Sequence, residues 1–175
     1  MKGMIVSVAS DHAGFKLKSE IISYLETLGY EVMDRGCTAK QKCVDYLDYT
    51  VKVVEDIISK NASYGVLICG TGVGMSIVAN RFEGVRAALC NSVEVAQLAR
   101  EHNDANILCL GARFTVTELA KQIVQQFLKT EFSCESRHKK RLVKLNNIVS
   151  DIKKGMKTYN EDEILKFSKV ADEWW

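Results

Sequence analysis

The sequence lacks features that would indicate several whole classes of protein. It contains six cysteines but no C-x-x-C pair, so zinc-ribbon and thioredoxin-type redox sites are not expected. No run approaches the roughly 20 apolar residues that a membrane-spanning helix needs. No cleavage-site pattern follows the short apolar run near the N-terminus. These absences predict a reduced, soluble, cytoplasmic protein.

An excess of charge of either sign is also missing. The 24 basic and 22 acidic residues nearly cancel, so no whole-protein field indicates nucleic acid or a membrane surface as a partner. Basic residues cluster locally at Arg137-His138-Lys139-Lys140-Arg141, a patch the size of a small binding site. The charge pattern therefore limits the partner to a small anion, or to none.

The apolar pattern predicts the fold class. With 175 residues, 47% of them hydrophobic, the chain suits one core and is too short to favour two domains. Short apolar runs alternate with stretches of helical period, which is typical of βαβ units and a parallel sheet covered on both faces. We expect a three-layer, Rossmann-like α/β fold with a five-stranded parallel sheet. The predicted strands are Met4–Ala9, Tyr30–Met33, Tyr64–Cys69, Val85–Cys90 and Asn106–Leu110.

Apolar stripes and capping residues predict the helices between these strands. Ser10-Asp11 is expected to cap a first helix that ends at Gly29. A capping box at Thr115-x-x-Glu118 precedes a later stripe. Further helices are expected to begin near Gly74 and Ser92. The stripe residues on which the second and fifth helices depend are Leu47, Val51, Val54 and Ile58, then Val116, Ala120, Ile123 and Phe127.

The sequence after the fifth strand predicts helices alone. One long helix is expected from about Glu135 to Lys154, and Gly155 breaks it. We divide the chain into a domain at 1–150 and a helical extension at 151–175. An apolar stripe that ends at Trp174 in the extension predicts that it docks on the body of the protein or on a partner subunit, the alternative being a frayed terminus.

The carboxyl ends of the strands are the expected place for a ligand. The third strand is followed there by the loop Gly70-Thr71-Gly72-Val73-Gly74, whose backbone N–H groups could cradle an anion. The loop lacks the Gly-Lys-Ser/Thr of a Walker A motif, and it follows the wrong strand for a dinucleotide fingerprint. Its alternative is a tight turn with no ligand. Cys69, just before it, is a candidate thiolate base, or else another buried cysteine.

Two further groups of residues complete the candidate chemistry. His102, among the polar residues that precede the fifth strand, suits a general acid near neutral pH. Arg137 and Arg141 lie four apart on the long helix, so they could clamp a phosphate together. Taken alone, each group has a simpler reading, a surface histidine and a solvated basic face.

Five segments in unbroken order resemble one family, which joins type B ribose-5-phosphate isomerases and galactose-6-phosphate isomerase subunits. The similarity runs from about residue 3 to about residue 148. Its segments are Ser10-Asp11-His12-Ala13-Gly14-Phe15, Cys69-Gly70-Thr71-Gly72-Val73-Gly74-Met75-Ser76, Arg100-Glu101-His102-Asn103-Asp104-Ala105-Asn106, Gly111-Ala112-Arg113 and Arg137-His138-Lys139-Lys140-Arg141.

The resemblance implies interconversion of ribose 5-phosphate and ribulose 5-phosphate with neither metal nor cofactor. Cys69 would move the proton between C2 and C1, supported by Thr71, since Met75 is not the glutamate that some members carry in this loop. His102 would open the sugar ring, helped by Asp11. Asn103 would hold the enediolate charge together with the backbone amides of Gly70, Thr71, Gly72, Val73 and Gly74.

The resemblance also implies how the phosphate is held and how the site is assembled. Arg113, Arg137 and Arg141, with His12, would bind the phosphate, and the site would form between two subunits of a homodimer, the alternative being a dimer of dimers. The family often has proline in the segment that here is Asp45-Tyr46-Leu47-Asp48-Tyr49, and this chain has no proline. We expect that segment to lie away from the chemistry. The alternatives are an isomerase of a six-carbon sugar phosphate (allose 6-phosphate or galactose 6-phosphate) and a non-catalytic sugar-phosphate-binding subunit.

Overall fold

A computed structural model describes residues 4–38 and 43–153, with side chains described up to Asn147. Within these residues a parallel sheet has the strand order β2-β1-β3-β5-β4, which confirms the predicted fold class. Each boundary lies within two residues of its prediction. The strands are β1 (Ile5–Ser10), β2 (Glu31–Asp34), β3 (Tyr64–Cys69), β4 (Ala87–Leu89) and β5 (Ile107–Gly111).

Helices connect and follow these strands. They are α1 (Phe15–Thr27), α2 (Tyr46–Ile58), α3 (Val73–Ala79), α4 (Val93–Asn103), α5 (Thr117–Lys129) and α6 (Ser136–Lys153). The chain divides into two units, Met1–His138 and Lys139–Trp175. The sheet and α1 to α5 belong to the first unit, and the described part of the second is the portion of α6 from Lys139.

The central strands contribute side chains to two hydrophobic cores, one on each face of the sheet. Successive side chains of a strand point to opposite faces. In β3, Val66 and Ile68 therefore join the core formed with α1, α4 and α5. Leu67 and Cys69 join the core formed with α2 and α3. Because both faces are covered, β3 is apolar almost throughout, as the sequence predicted.

Some of the predicted helix details are wrong. Gly14, not Ser10 or Asp11, directly precedes α1, and the Asp11 carboxylate instead accepts a hydrogen bond from the Gly14 N–H at 3.0 Å. The acid thus closes the turn before the helix. The box at Thr115 and Glu118 does not form, because α5 begins after Val116 without a side-chain cap. Val116 itself is 72% exposed, unlike the rest of its stripe.

The predicted stripe on α2 is confirmed at Val54, which is 1% exposed, and is wrong at its two ends. Leu47 and Ile58 are 43% and 49% exposed. The buried apolar residues of α2 are Tyr49, Val53, Val54 and Ile57. Both sets recur with helical spacing, since this helix is apolar over more than one face, so periodicity alone could not choose between them.

The long C-terminal helix is confirmed at Ser136–Lys153, close to its predicted ends. The predicted break at Gly155 and the apolar stripe that ends at Trp174 lie outside the described residues. Among the helices that the structure describes, none is long and apolar enough to cross a membrane.

Candidate active site

The topology creates a crevice between the carboxyl ends of β1 and β3. The chain leaves β1 for β2 on one side and then crosses over to β3 on the other side. The point at which the connections leave in opposite directions along the sheet is called a switch point, and parallel sheets bind ligands there. The two strands are in register there, Ser10 opposite Ile68, and the Asp11 N–H donates to the Ile68 carbonyl at 3.3 Å. Asp11 and Cys69 therefore emerge from neighbouring strands at the same edge.

The Cys69 thiol lies at the base of the glycine loop. Its Sγ accepts a hydrogen bond from the Gly72 N–H at 3.1 Å, and the residue is 5% exposed. Gly72 has φ of +77°, and a Cβ there would lie 2.5 Å from Cδ1 of Leu89. Only glycine meets both conditions without strain. The loop thus directs a backbone donor at the sulfur and leaves no space for a larger residue.

A cation covers the other side of this loop. A Cβ on Gly70 would lie 3.3 Å from Cζ of Arg113, so the guanidinium packs directly against the loop backbone. The position is fixed by main-chain bonds, because Arg113 N–H donates to the Gly70 carbonyl at 3.1 Å and Ala112 N–H to that of Cys69 at 2.9 Å. The Thr71 hydroxyl accepts from the Val73 N–H at 3.3 Å.

The segment that opens α2 also reaches this edge. The Val44 N–H donates to Nδ1 of His12 at 3.4 Å, and a Cβ on Gly74 would lie 2.8 Å from Cζ of Tyr46. The expectation that residues 45–49 lie away from the chemistry is therefore wrong. Tyr46 is a site residue that sequence reasoning missed. A signal was available, because every helix that follows a strand of a parallel sheet starts at the carboxyl edge.

His102 and Asn103 lie at the opposite edge of the sheet. They end α4, which returns from the carboxyl end of β4 to the amino end of β5. Beyond them, Asn106 accepts from the Gly65 N–H at 2.9 Å. In the β3–β5 register Gly65 pairs with Ile107 and Cys69 with Gly111. The edges are therefore separated by four residues of strand, about 13 Å at ~3.3 Å per residue.

The end of α4 is anchored by a buried arginine. Arg100 is 4% exposed, and its Nη1 donates to Oδ1 of Asp104 at 2.8 Å and to the Ala105 carbonyl at 2.6 Å. Its other Nη donates to the Tyr64 hydroxyl at 2.9 Å. Asp104 is left-handed, with φ of 46°. These bonds hold the backbone on which His102 and Asn103 stand.

Around His102 the structure gathers a second group of polar residues. The His102 and His138 rings lie 4.3 Å apart, centroid to centroid. Nearby, Nε of Arg137 donates to the Glu135 carboxylate at 2.8 Å. The pKa of Glu135 is lowered, first by the hydrogen bond and charge of Arg137 and then by the charges of His138 and His102. Arg141 is exposed, four residues beyond Arg137 on α6.

Except for Arg141, which belongs to the second unit, the predicted site residues fall into two sets. One set, which we call the thiol edge, is Asp11, His12, Cys69, Gly70, Thr71, Gly72, Val73, Gly74 and Arg113. The other, which we call the histidine edge, is His102, Asn103 and Arg137. A single copy of the chain holds the two sets at opposite ends of its strands.

Cys90 and Cys109 are two further buried thiols in or next to the strands. Burial raises the pKa of Cys90 to about 12 and raises that of Cys109 as well, with smaller contributions from Cys69 and Cys90. Neither side chain belongs to the glycine loop. All six cysteines are free, so Cys69 is available as a thiol.

A metal centre or a separate cavity would be an alternative to this site. Across residues 4–38 and 43–153, no group of three or more His, Cys, Asp or Glu side chains is placed to hold a metal ion. A surface cavity of about 440 Å³ lies at the end of β2 and is lined by Asp34, Arg35, Gly36, Lys52, Glu55 and Asp56. Arg35 and Asp56 already neutralise each other there.

Comparison with known proteins identifies the family of the chain. The family model for ribose/galactose isomerase matches residues 6–145. The chain belongs to the ribose/galactose isomerase family. Among relatives, it is 42% identical to ribose-5-phosphate isomerase B of Escherichia coli, over 78% of this chain and 91% of that protein.

Solved structures of ribose/galactose isomerases show the same fold. That of ribose-5-phosphate isomerase B from Clostridium thermocellum is 43% identical with a TM-score of 0.80, covering 85% of this chain and 99% of that one. That from Anaplasma phagocytophilum is 48% identical with a TM-score of 0.77, covering 83% and 98%. The matches confirm the resemblance on which the sequence analysis relied.

Proposed function

We propose that this chain is an aldose–ketose isomerase that interconverts D-ribose 5-phosphate and D-ribulose 5-phosphate. One observation carries the proposal: the free Cys69 thiol accepts a hydrogen bond from Gly72 at 3.1 Å, at the base of an anion-binding loop. The surrounding fold is that of proteins named ribose-5-phosphate isomerase B. A proton shift next to a carbonyl needs a base, an acid and donors for the oxyanion, and the site has a candidate for each.

The thiol edge supplies the base and most of the oxyanion donors. The Cys69 thiolate removes the proton from C2 of the open-chain aldose, which leaves an enediolate. The proton of the C2 hydroxyl moves to O1, and the thiol returns its proton to C1, which gives the ketose and restores the thiolate. Thr71 supports the base. Backbone N–H groups of residues 70–74, with Asn103, stabilise the negative charge. Loss of one such donor in other enzymes costs about 2.7–4 kcal/mol of transition-state stabilisation.

The histidine edge supplies the acid. His102 protonates the ring oxygen as the C1–O bond of the cyclic sugar opens, and Asp11 accepts the proton of the C1 hydroxyl. Arg113, Arg137 and Arg141, with His12, hold the phosphate. These cations would anchor the end of the sugar that does not react, so that binding energy positions C1 and C2 at the thiol.

Because the two edges lie about 13 Å apart along the strands, one copy cannot bring them to the same small sugar. We therefore propose a homodimer in which the thiol edge of one copy faces the histidine edge of the other. A twofold axis completes two identical sites at once. Ile77, Phe114 and Val116, which are 62%, 77% and 72% exposed, are large apolar side chains that a second copy could cover. All six cysteines of this chain are free thiols, which is the state that a reducing cytoplasm maintains.

The test is an isomerase assay on the purified protein with ribose 5-phosphate, allose 6-phosphate and galactose 6-phosphate. We expect turnover of the five-carbon sugar, and its loss in Cys69→Ala with binding of the sugar phosphate retained. Cys134→Ser, which alters an exposed thiol, is the matched control and should keep full activity. Turnover of six-carbon sugars alone would favour the other branch of the family. Binding without turnover of any sugar would favour a non-catalytic subunit.

A further inference from the structure

A second histidine, His138, packs against the proposed acid. It is 1% exposed, whereas His102 is partly buried. The ring centroids are 4.3 Å apart and the ring planes are tilted by 42°. One face of the His102 imidazole is therefore covered by a residue that the mechanism above leaves without a role.

His138 is itself fixed in place. Its Nδ1 and the Ser133 hydroxyl lie 2.8 Å apart as a hydrogen-bonded pair, and its backbone N–H donates to the Glu135 carbonyl at 3.0 Å. The same turn is bonded to α4, because the Ser133 N–H donates to the Glu101 carbonyl at 3.1 Å. Glu101 is the chain neighbour of His102, so the two rings share one hydrogen-bonded frame.

An imidazole that delivers a proton must hold one nitrogen towards the reacting oxygen. An unrestrained side chain rotates about two bonds, and a misplacement of about 1 Å can cost on the order of 100-fold in rate. A flat ring held against one face of His102 removes most of that rotation. The Ser133 bond keeps the supporting ring from turning with it.

We propose that His138, held by Ser133, is a positioning residue that fixes the His102 imidazole for opening the sugar ring. This inference rests on the proposed function. On this inference His138 neither contacts the substrate nor transfers a proton. Loss of His138 should therefore affect only substrates that react from a closed ring.

The test compares two substrates, ribose 5-phosphate and a four-carbon aldose phosphate that is too short to cyclise. In His138→Ala we expect kcat for ribose 5-phosphate to fall by about 10- to 100-fold with KM little changed, and turnover of the short sugar to stay within about twofold. His138→Phe restores a flat ring and should recover most of the loss. Ser133→Ala should slow only the cyclic sugar, by a few-fold, while Ser136→Ala serves as the control in the same segment.

Two results would overturn the inference. Equal slowing of both sugars in His138→Ala would indicate a merely structural role, and unchanged kcat for ribose 5-phosphate would indicate none. Ser133→Ala alters an exposed residue, so it keeps the test decisive if His138→Ala fails to fold.

A second readout separates this inference from the proposed function. The chain has three histidines, so the ring signals of His102 can be assigned in NMR spectra by substitution. They should shift in His138→Ala and return towards their original positions in His138→Phe.

If the wild-type protein isomerises neither sugar, the proposed function fails, and an unchanged His102 signal in His138→Ala then overturns the positioning role as well. If His102→Asn slows both sugars equally, the proposed acid is wrong even when the ring contact is confirmed.

Discussion

Cys69 and His102 lie at opposite edges of the same parallel sheet. Cys69 ends β3, and His102 is in the last turn of the helix that leads back to the start of β5. The direction of α4 makes this unavoidable, since a helix between parallel strands must return from the carboxyl edge to the amino edge. The proposed base and acid can therefore share a sugar only when they come from different copies of the chain.

Complementation between two inactive variants tests this arrangement. Cys69→Ala and His102→Asn should each be nearly inactive on ribose 5-phosphate. After joint unfolding and refolding in equal amounts, half of the dimers are mixed, and each mixed dimer has one site with both native residues. We expect recovery of roughly a quarter of the wild-type activity, measured against each variant refolded alone.

The recovered activity should need one variant of each kind. A mixture of Cys69→Ala with Cys69→Ala/His102→Asn has no site with both native residues and serves as the control. If the first mixture also stays inactive, although size measurements with a tagged copy confirm mixed dimers, the proposed division of the site between two copies is wrong.

Substitution of Gly72 tests the geometry of the thiol loop. Gly72 and Gly84 have nearly the same backbone angle, with φ of +77° and +82°. An alanine costs about 1–2 kcal/mol in this region for either residue. The two positions differ in the room available for a side chain. A Cβ at Gly84 has no neighbour within 4 Å, whereas a Cβ at Gly72 meets Leu89 and the Leu110 backbone. Gly72→Ala must therefore move the N–H that points at Cys69.

We expect Gly72→Ala to lower kcat by about 100-fold through displacement of that donor, with Gly84→Ala near wild type. Both variants should lose similar stability from the backbone angle alone, so thermal unfolding separates the two effects. Equal kcat values in the two variants would mean that the loop has no role in the chemistry.

The thiol edge could be predicted from the sequence because a single rule gives the positions of its residues. Carboxyl ends of parallel strands share an edge, so strand prediction alone brings Asp11, Cys69 and Arg113 together. The same rule holds for helix ends: it places His102, at the end of α4, opposite Cys69. It also places Tyr46, at the start of α2, at the thiol edge, where residues 45–49 were not expected.

Local details were harder to predict than topology because alternatives of similar energy compete. The Asp11 carboxylate could cap a helix or accept a bond from Gly14 within a turn. In the structure the Asp11 N–H is bonded to Ile68 of β3, and the carboxylate closes the turn. On α2 two apolar stripes recur with the same spacing, and contact with the sheet selects the one that contains Val53. The contact between His102 and His138 joins residues 36 positions apart, which no periodicity connects.

Alkylation should single out Cys69 among the thiols within the sheet. With the exposed Cys43 and Cys134 changed to serine, the remaining thiols are buried. Burial raises the pKa of Cys90 to about 12, so at pH 8 only about one molecule in ten thousand carries that thiolate. Burial suppresses the thiolate of Cys109 in the same way, and Cys37 is only 1% exposed, which keeps the reagent from its sulfur.

We therefore expect iodoacetamide to inactivate this double variant in step with modification of Cys69, as followed by peptide mass mapping, and ribose 5-phosphate to slow both processes together. Full activity after complete modification of Cys69 would remove the thiol from the mechanism. Inactivation that follows modification of Cys37, Cys90 or Cys109 would indicate loss of the fold instead.

The pair of Arg35 and Asp56 should make stability depend on pH. Asp56 is 4% exposed and accepts hydrogen bonds from the Ser7 hydroxyl at 2.7 Å and from Nε of Arg35 at 2.8 Å. Burial alone would raise the pKa of Asp56, but the bonds from Arg35 and Ser7 and the charge of Arg35 outweigh burial and lower it. A carboxylate with a lowered pKa in the folded state stabilises the fold above its unfolded pKa of about 3.9. That contribution is lost as the pH falls through the folded value.

Arg35→Met leaves the buried carboxylate without its cation. A hydrogen bond to a charged group contributes about 1.5–3 kcal/mol, and the Arg35 side chain is 40% exposed, so solvent screening favours the lower half of that range. Urea unfolding at fixed protein concentration should show this loss at pH 7, and the difference from wild type should shrink below about pH 4 as Asp56 becomes protonated. Lys121→Met, which breaks surface pairs with Glu20 and with the 81% exposed Glu118, should change the free energy of unfolding by about 0–1 kcal/mol. A deficit in Arg35→Met that stays constant from pH 7 to pH 3 would show that the guanidinium acts through packing and not through its charge.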